Sequence, residues 1–169
     1  LGHRDIGLAF PPTADNERAR DRMTGVLDAL EGAGVTTSDA WRTQAIYNVT
    51  VAKQAILDLL DGARMPSALI CGNDIIAQGA LFAAQRRGLD VPGDLSIVGI
   101  GDFPGSADLE PGLTTVRIPA HRIGRAAGVY LAEAIAMQET DDVFRSRFDV
   151  ELKVRGSTRA VDHAVQGGG

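Results

Sequence analysis

The sequence predicts an α/β fold, a parallel sheet flanked by helices. Three observations predict it. Apolar runs of strand length alternate with stretches whose apolar residues recur at helical spacing, which is the pattern of a parallel sheet covered by helices. Gly, Pro, Asn and Asp gather between those runs, where turns need them. The chain has 169 residues, 44% hydrophobic and 23% charged, ordinary for a globular protein and enough to bury one sizeable core.

The elements follow in order. Residues 5–10, DIGLAF, read as the first strand. Pro11, Pro12 and the polar TADNE then lead into a helix over about residues 16–33. Ala19, Met23, Val26, Leu27, Leu30 and Ala33 repeat there at helical spacing, with Gly34 placed to close it. A weak strand at 38–43 precedes a helix at about 48–61, whose apolar stripe is Val51, Ile56, Leu59 and Leu60. A strand at 67–71 runs through Gly72 and Asn73 into a helix at 74–87, closed by Gly88. A strand at 96–100 and a loop of Gly, Pro and Asp come next, then TTVRI at 114–118. Pro119 suits the first turn of a helix reaching about residue 138. FDVELKV, 148–154, alternates as a late strand, and the closing VQGGG reads as a disordered tail.

Several function classes are excluded early. A net charge of -5 and a pI near 5.1 argue against a nucleic-acid-binding surface on this chain. All basic residues but Lys53 and Lys153 are arginine, a skew of composition rather than of chemistry. Cys71, the only cysteine, permits no internal disulfide and follows SALI as a buried small hydrophobe. No signal peptide and no membrane-length apolar run is present, so the reading is cytoplasmic. The chain opens on Leu1 without Met and reads as a piece of a longer protein. His3, His121 and His163 share no metal spacing, and neither a P-loop nor a G-x-S-x-G elbow occurs. Gly99, Gly101 and Gly105 give G-x-G-x-x-x-G, whereas a dinucleotide fingerprint needs G-x-G-x-x-G opening into a helix. No cofactor is expected.

In open α/β sheets, ligands sit outside the carboxyl ends of the strands. The residues just after 10, 43, 71 and 100 therefore define the search. Arg22 lies within a turn of the core stripe of its helix and can turn toward that crevice, whereas Arg18 and Arg20 read as solvated. An arginine fork can grip a carboxylate or adjacent hydroxyls. Tyr47 can stack on a sugar face or purine ring, or pack in the core; Trp41 reads as packing against the helices. Asn73 can read a ligand edge or serve a turn, and Asp74 reads as the helix cap.

Five phrases carry a resemblance: LGHRDIGLAF, ERARDRMTGVLDALEGAGV, PSALICGNDIIAQGALFAAQRRGLDVPGDLSIVGIGDF, LEPGLTTVRIPAHRIGRAA and ELKVRGST. In this order and spacing they resemble the lactose-repressor/galactose-repressor family of bacterial transcription regulators. The resemblance implies a periplasmic-binding-protein-like (type I) C-terminal lobe at 1–118 and a helix and connection of the first lobe at 119–147. It further implies a returning strand at 148–158 and a tail at 159–169, with the DNA-binding domain and most of the first lobe absent. The implied partners are a small-molecule effector, a sugar or sugar acid, a second copy of the chain in a homodimer, and operator DNA through the absent N-terminal domain; no membrane is implied.

Position by position, Arg22 matches the family's effector-gripping arginine, and Asn73 and Asp74 match its Asn-Asp pair. Tyr47 falls where an aromatic often stacks on ligand. Many members read G-Y-D-D or G-F-D-D where this chain reads Gly99-Ile100-Gly101-Asp102, so Gly101 stands where a sugar-binding Asp is usual. That loss argues against a neutral sugar and for a sugar acid such as gluconate, and the G-x-G-D-F form resembles gluconate-type regulators. Ile75, Ile76, Ala77, Ala80, Leu81, Phe82, Ala83 and Ala84 cover more than one face of their helix. A dimer surface at Gln78, Leu81, Phe82 and Leu109 is expected, the alternative being a helix buried on both sides within one monomer. The alternative function is a periplasmic-type sugar carrier for uptake.

Overall fold

A computed structural model describes residues 1–137 and 145–161. It contains a six-stranded sheet with strand order β2-β1-β3-β4-β5-β6. The strands are β1 (Ile6–Phe10), β2 (Arg42–Gln44), β3 (Ala68–Cys71), β4 (Ser96–Gly101), β5 (Thr114–Arg117) and β6 (Glu151–Lys153). The helices are α1 (Glu17–Gly32), α2 (Val49–Leu60), α3 (Asp74–Arg87) and α4 (Ala120–Met137). β1 to β5 pair in parallel and β6 joins β5 antiparallel. The predicted α/β class and parallel sheet are thus present.

Local chemistry sets most boundaries. The side chains of Asn16, Asn48 and Asn73 each accept a backbone N–H of the first turn of α1, α2 and α3, satisfying donors that a helix start leaves orphaned. Gly88, at φ 68°, closes α3 in the left-handed region that glycine enters without strain.

Three expected elements change. The weak strand at 38–43 begins as a 3-10 turn, Asp39–Trp41, and pairs with β1 only over Arg42–Gln44. The cause is local: Ser38 caps the turn through Ala40 N–H, and the buried Trp41 ring is anchored by its Nε1–H to the Arg64 carbonyl. Pro119 precedes α4 rather than opening it, its carbonyl accepting from Ile123 N–H at 3.0 Å. The strand read at 148–154 narrows to β6, whose three residues pair with Thr115, Val116 and Arg117. Residue 138, the end of the helix as read, lies outside the described residues, as do His163 and VQGGG.

The two faces of the sheet are covered unequally. α2 and α3 close one face over a core that includes Ile56, Leu69, Ile76, Leu95, Ile97 and Leu113, each fully buried. Each such side chain contributes roughly 1.5–3 kcal/mol by leaving water. α2 and α3 touch so closely that a Cβ on Gly79 would come within 2.8 Å of the Lys53 backbone nitrogen. On the other face, α1 packs Met23, Val26, Leu27 and Leu30 over Ile6, Leu8 and Phe10. Beyond α1 that face is open: a hollow of 420 Å³ is lined by Leu1, Ile6, Ile70, Val98, Leu152 and Val154 among others. α4 buries none of its residues. No helix among the described residues is long and apolar enough to cross a membrane.

Cys71 is fully buried; desolvation, and then the neighbouring Asp74 charge, push its thiol pKa far above the ordinary value. A thiol held protonated is a poor nucleophile.

Candidate functional site

The parallel strands β1, β3, β4 and β5 end at one edge, and the residues following them meet there. α1 brings Arg22 to this edge, where its Nη1 donates to the Gly72 carbonyl at 3.3 Å, just past the end of β3. Arg18 and Arg20 remain exposed, and Arg20 pairs weakly with Glu17 at 3.9 Å. Asn73, next to Gly72, is the helix cap: its Oδ1 accepts from Ile76 N–H at 2.9 Å, which leaves its amide N–H₂ as donor. Gly72 is required between them, since a Cβ there would sit 2.8 Å from the Phe10 ring. Tyr47, in the loop before α2, is exposed. Trp41 lies at the opposite end of β2, away from this edge.

Asp74 departs from its expected role. Its neighbour Asn73 is the cap, and the Asp74 carboxylate is fully buried. Oδ1 accepts from Thr115 Oγ1 at 2.5 Å; Oδ2 accepts from Ser106 Oγ at 2.7 Å and from Phe103 N–H at 2.9 Å. These bonds fasten the start of α3 to β5 and to the loop after β4. A buried carboxylate so engaged is satisfied in place and holds the loop, and its oxygens point inward rather than to the crevice.

Gly101 ends β4 at φ 140°, a conformation reserved for glycine, and a Cβ there would run into the ring of Phe103. Asp102 follows at φ 55° with its side chain only 6% exposed. It receives Arg117 Nε at 2.5 Å on Oδ2 and Arg155 Nη2 at 2.6 Å on Oδ1. Burial alone would raise its pKa, but the hydrogen bonds and charges of Arg155 and Arg117 outweigh burial and hold the carboxyl below its ordinary range. Glu151 extends the network to Lys153 and, at 3.8 Å, to Arg117.

The structure therefore gathers Arg22 and Asn73 at one edge, with Gly101 and Asp102 at the end of the neighbouring β4. Thr115, Ser106, Phe103, Arg117 and Arg155 join them and were not singled out from the sequence. Their only local signal is position: Thr115 lies within a strand that Arg117 ends, and Arg155 follows another. Among the described residues no cluster of His, Cys, Asp or Glu could hold a metal ion.

On the far side of α3, Leu81, Phe82 and Leu109 line one concavity of 350 Å³ with Gln85, Val91 and Pro111. Gln78 is half-buried and does not line it. Most of the wide apolar surface of α3 is consumed within the chain, because Ala77, Ala80 and Ala83 face α2 or the sheet in the core. Leu81 is buried at 8%, whereas Phe82 stays 44% exposed.

The chain matches, over residues 1–158, the family described as periplasmic binding protein-like domain. It is 35% identical over 140 residues to the HTH-type transcriptional repressor PurR of Proteus mirabilis, covering 83% of this chain and 41% of that protein. It is 34% identical over 160 residues to the repressor CytR of Escherichia coli K12, covering 95% of this chain and 46% of that one. The chain thus spans less than half the length of these relatives. Among solved structures, the lac repressor dimer bound to operator and the anti-inducer ONPF superposes with a TM-score of 0.84 at 25% identity, over 95% of this chain and 54% of that one.

Proposed function

The chain belongs to the periplasmic binding protein-like family, as the effector-binding domain of lactose-repressor/galactose-repressor regulators, and from that premise we propose that it senses a small polar metabolite for a DNA-binding repressor. The carrying observation is Arg22, drawn by Gly72 to the strand ends beside Asn73. The effector is a sugar or sugar acid, gripped by Arg22 and Asn73, with Tyr47 closing one side and the β4 end at Gly101 and Asp102 the other. Gly101 supplies no carboxylate for hydroxyls, which favours a sugar acid such as gluconate. The relatives are transcriptional repressors, not enzymes, and this supports a regulator over an uptake carrier.

Residues 1–118 form the lobe that holds this half of the site. α4 and the connection through residue 147 belong to a first lobe, and 148–158 return to the sheet. The exposed apolar residues of α4 support that division, since Ile123, Leu131 and Ile135 lie on one helical stripe that no other described residue buries. Effector binding between the lobes changes their angle, and so operator affinity, only to the extent that it favours one arrangement over the other. Two copies meet through Phe82 with Leu81, Leu109 and Gln78, and operator DNA is bound by a separate N-terminal domain in the cytoplasm.

Calorimetric titration of the two-lobed domain tests the effector class. Gluconate binding that Arg22→Ala abolishes is the expected result; tight binding of a neutral disaccharide with none of gluconate contradicts it. Phe82→Asp should leave a folded monomer by light scattering, and a folded dimer contradicts the proposed interface.

A further inference from the structure

We propose that Phe103 is a ligand-contacting residue of the crevice, its ring standing where residue 101 would otherwise carry a side chain, and that it selects an effector with an apolar face beside an oxyanion. This inference rests on the reading of the strand-end crevice as the effector site.

The geometry begins with Gly101. Its φ of 140° excludes other residues, and the position of a Cβ is already taken by the Phe103 ring. The ring therefore covers the end of β4 at the site edge. Its backbone is held on both sides: Phe103 N–H donates to buried Asp74 at 2.9 Å, and its carbonyl accepts from Ser106 N–H at 3.0 Å. Ser106 is fully buried and also donates to Asp74. The residue nonetheless remains 38% exposed. A ring on a pinned backbone meets a ligand with little ordering left to do.

Polarity supplies the rest. The carboxylate that Phe103 N–H bonds and the one that precedes it in the chain are both engaged, Asp74 by Thr115, Ser106 and Phe103, and Asp102 by Arg117 and Arg155. Asp74 is fully buried and each Asp102 oxygen holds an arginine, so both of these carboxylates are committed within the chain. The polar groups that follow the neighbouring β3 at the same sheet edge, the Arg22 guanidinium on the Gly72 carbonyl and the Asn73 amide N–H₂, are donors. Donors after β3 and a part-exposed aromatic ring after β4, at the ends of adjacent strands, match an oxyanion, carboxylate or phosphate, attached to a C–H-rich or planar body.

The test uses the two-lobed effector domain titrated calorimetrically with D-gluconate, glucose 6-phosphate and D-glucose. The probes separate a carboxylate from a phosphate, and either from the neutral sugar. At least one anion should bind tenfold or more tightly than glucose. Phe103→Ala should weaken that binding about tenfold, Phe103→Leu, which keeps the bulk and loses the flat face, nearly as much, and Phe103→Tyr should restore it. The ligand-free melting midpoint should stay unchanged in the Leu and Tyr variants. Undiminished affinity in Phe103→Leu, with binding lost in Arg22→Ala, overturns the role of Phe103 and leaves the crevice reading standing. Preference for glucose, lost likewise in Arg22→Ala, overturns the anion selectivity alone. Binding indifferent to both positions, or no binding of any probe, overturns the crevice reading and this inference with it.

Discussion

On the α2–α3 side of the sheet, almost every apolar residue is covered by this chain's own helices; on the opposite side, α1 covers β1 and β3 and then stops. There Leu152 and Val154 remain 58% and 71% exposed, and α4, further along the chain, carries Leu131 and Ile135 at 59% and 69%. Both regions carry large apolar side chains, so their presence alone does not separate the two. The difference lies in what they are built to touch. One face is complete within these 169 residues, and the other has the character of a surface made for covering, since contiguous exposed apolar area of this kind marks an interaction site.

Truncating one side chain in each region should separate the two faces most clearly. Ile56→Ala, in the closed core, should cost about 2–5 kcal/mol by urea denaturation, through lost burial and the cavity left behind. Ile135→Ala on α4 should stay within about 0.5 kcal/mol. Equal losses would mean that α4 is packed in solution.

Asp74→Ala comes next. It strands Thr115 Oγ1, Ser106 Oγ and Phe103 N–H in a buried place, at about 1–3 kcal/mol for each donor that finds no new partner. Denaturant titration should show a loss of about 2–4 kcal/mol; a change under 0.5 kcal/mol would show the loop after β4 to be held by other means.

Asp102 adds a smaller, pH-dependent effect. Its folded pKa lies below the unfolded one, so its stabilisation is complete above the unfolded value of about 3.9. It fades as pH falls through the lowered folded value, where the folded carboxylate finally takes up its proton. Asp102→Asn should therefore flatten the acid limb of a stability–pH curve below about pH 4. An acid limb identical to that of the parent chain would deny the ion-pair network with Arg117 and Arg155.

The smallest effect on stability is expected from Leu131→Ser, within about 0.5 kcal/mol. It should instead lower binding of a hydrophobic dye, and unchanged dye binding would place the exposed apolar surface elsewhere.

How much was legible in the sequence follows the distance between partners. α3 was read to the residue because Asn73 and Gly88 punctuate it locally. β2 is shorter than its sequence suggests because Trp41, a strand former by type, leaves the ladder to reach Arg64, which a pattern of apolar residues cannot announce. The role of Asp74 was hidden for a stronger reason. Its partners Phe103, Ser106 and Thr115 lie 29, 32 and 41 residues further along the chain, so only the folded sheet brings them together. Arg22 was legible as a candidate from its place on α1 and the strand-end rule; its bond to Gly72 is a tertiary fact. Gly101 was noticed for the carboxylate that it lacks, while Phe103, which takes the space, was passed over as part of a loop.

On the proposed reading, another lobe completes the open side of this chain. Hydrogen–deuterium exchange over α4 tests it directly, comparing this chain alone with the two-lobed domain. The account predicts fast exchange of the α4 amides in the isolated chain and strong protection in the two-lobed domain, with α2 and α3 protected in both. Equal protection of α4 in the two would contradict it.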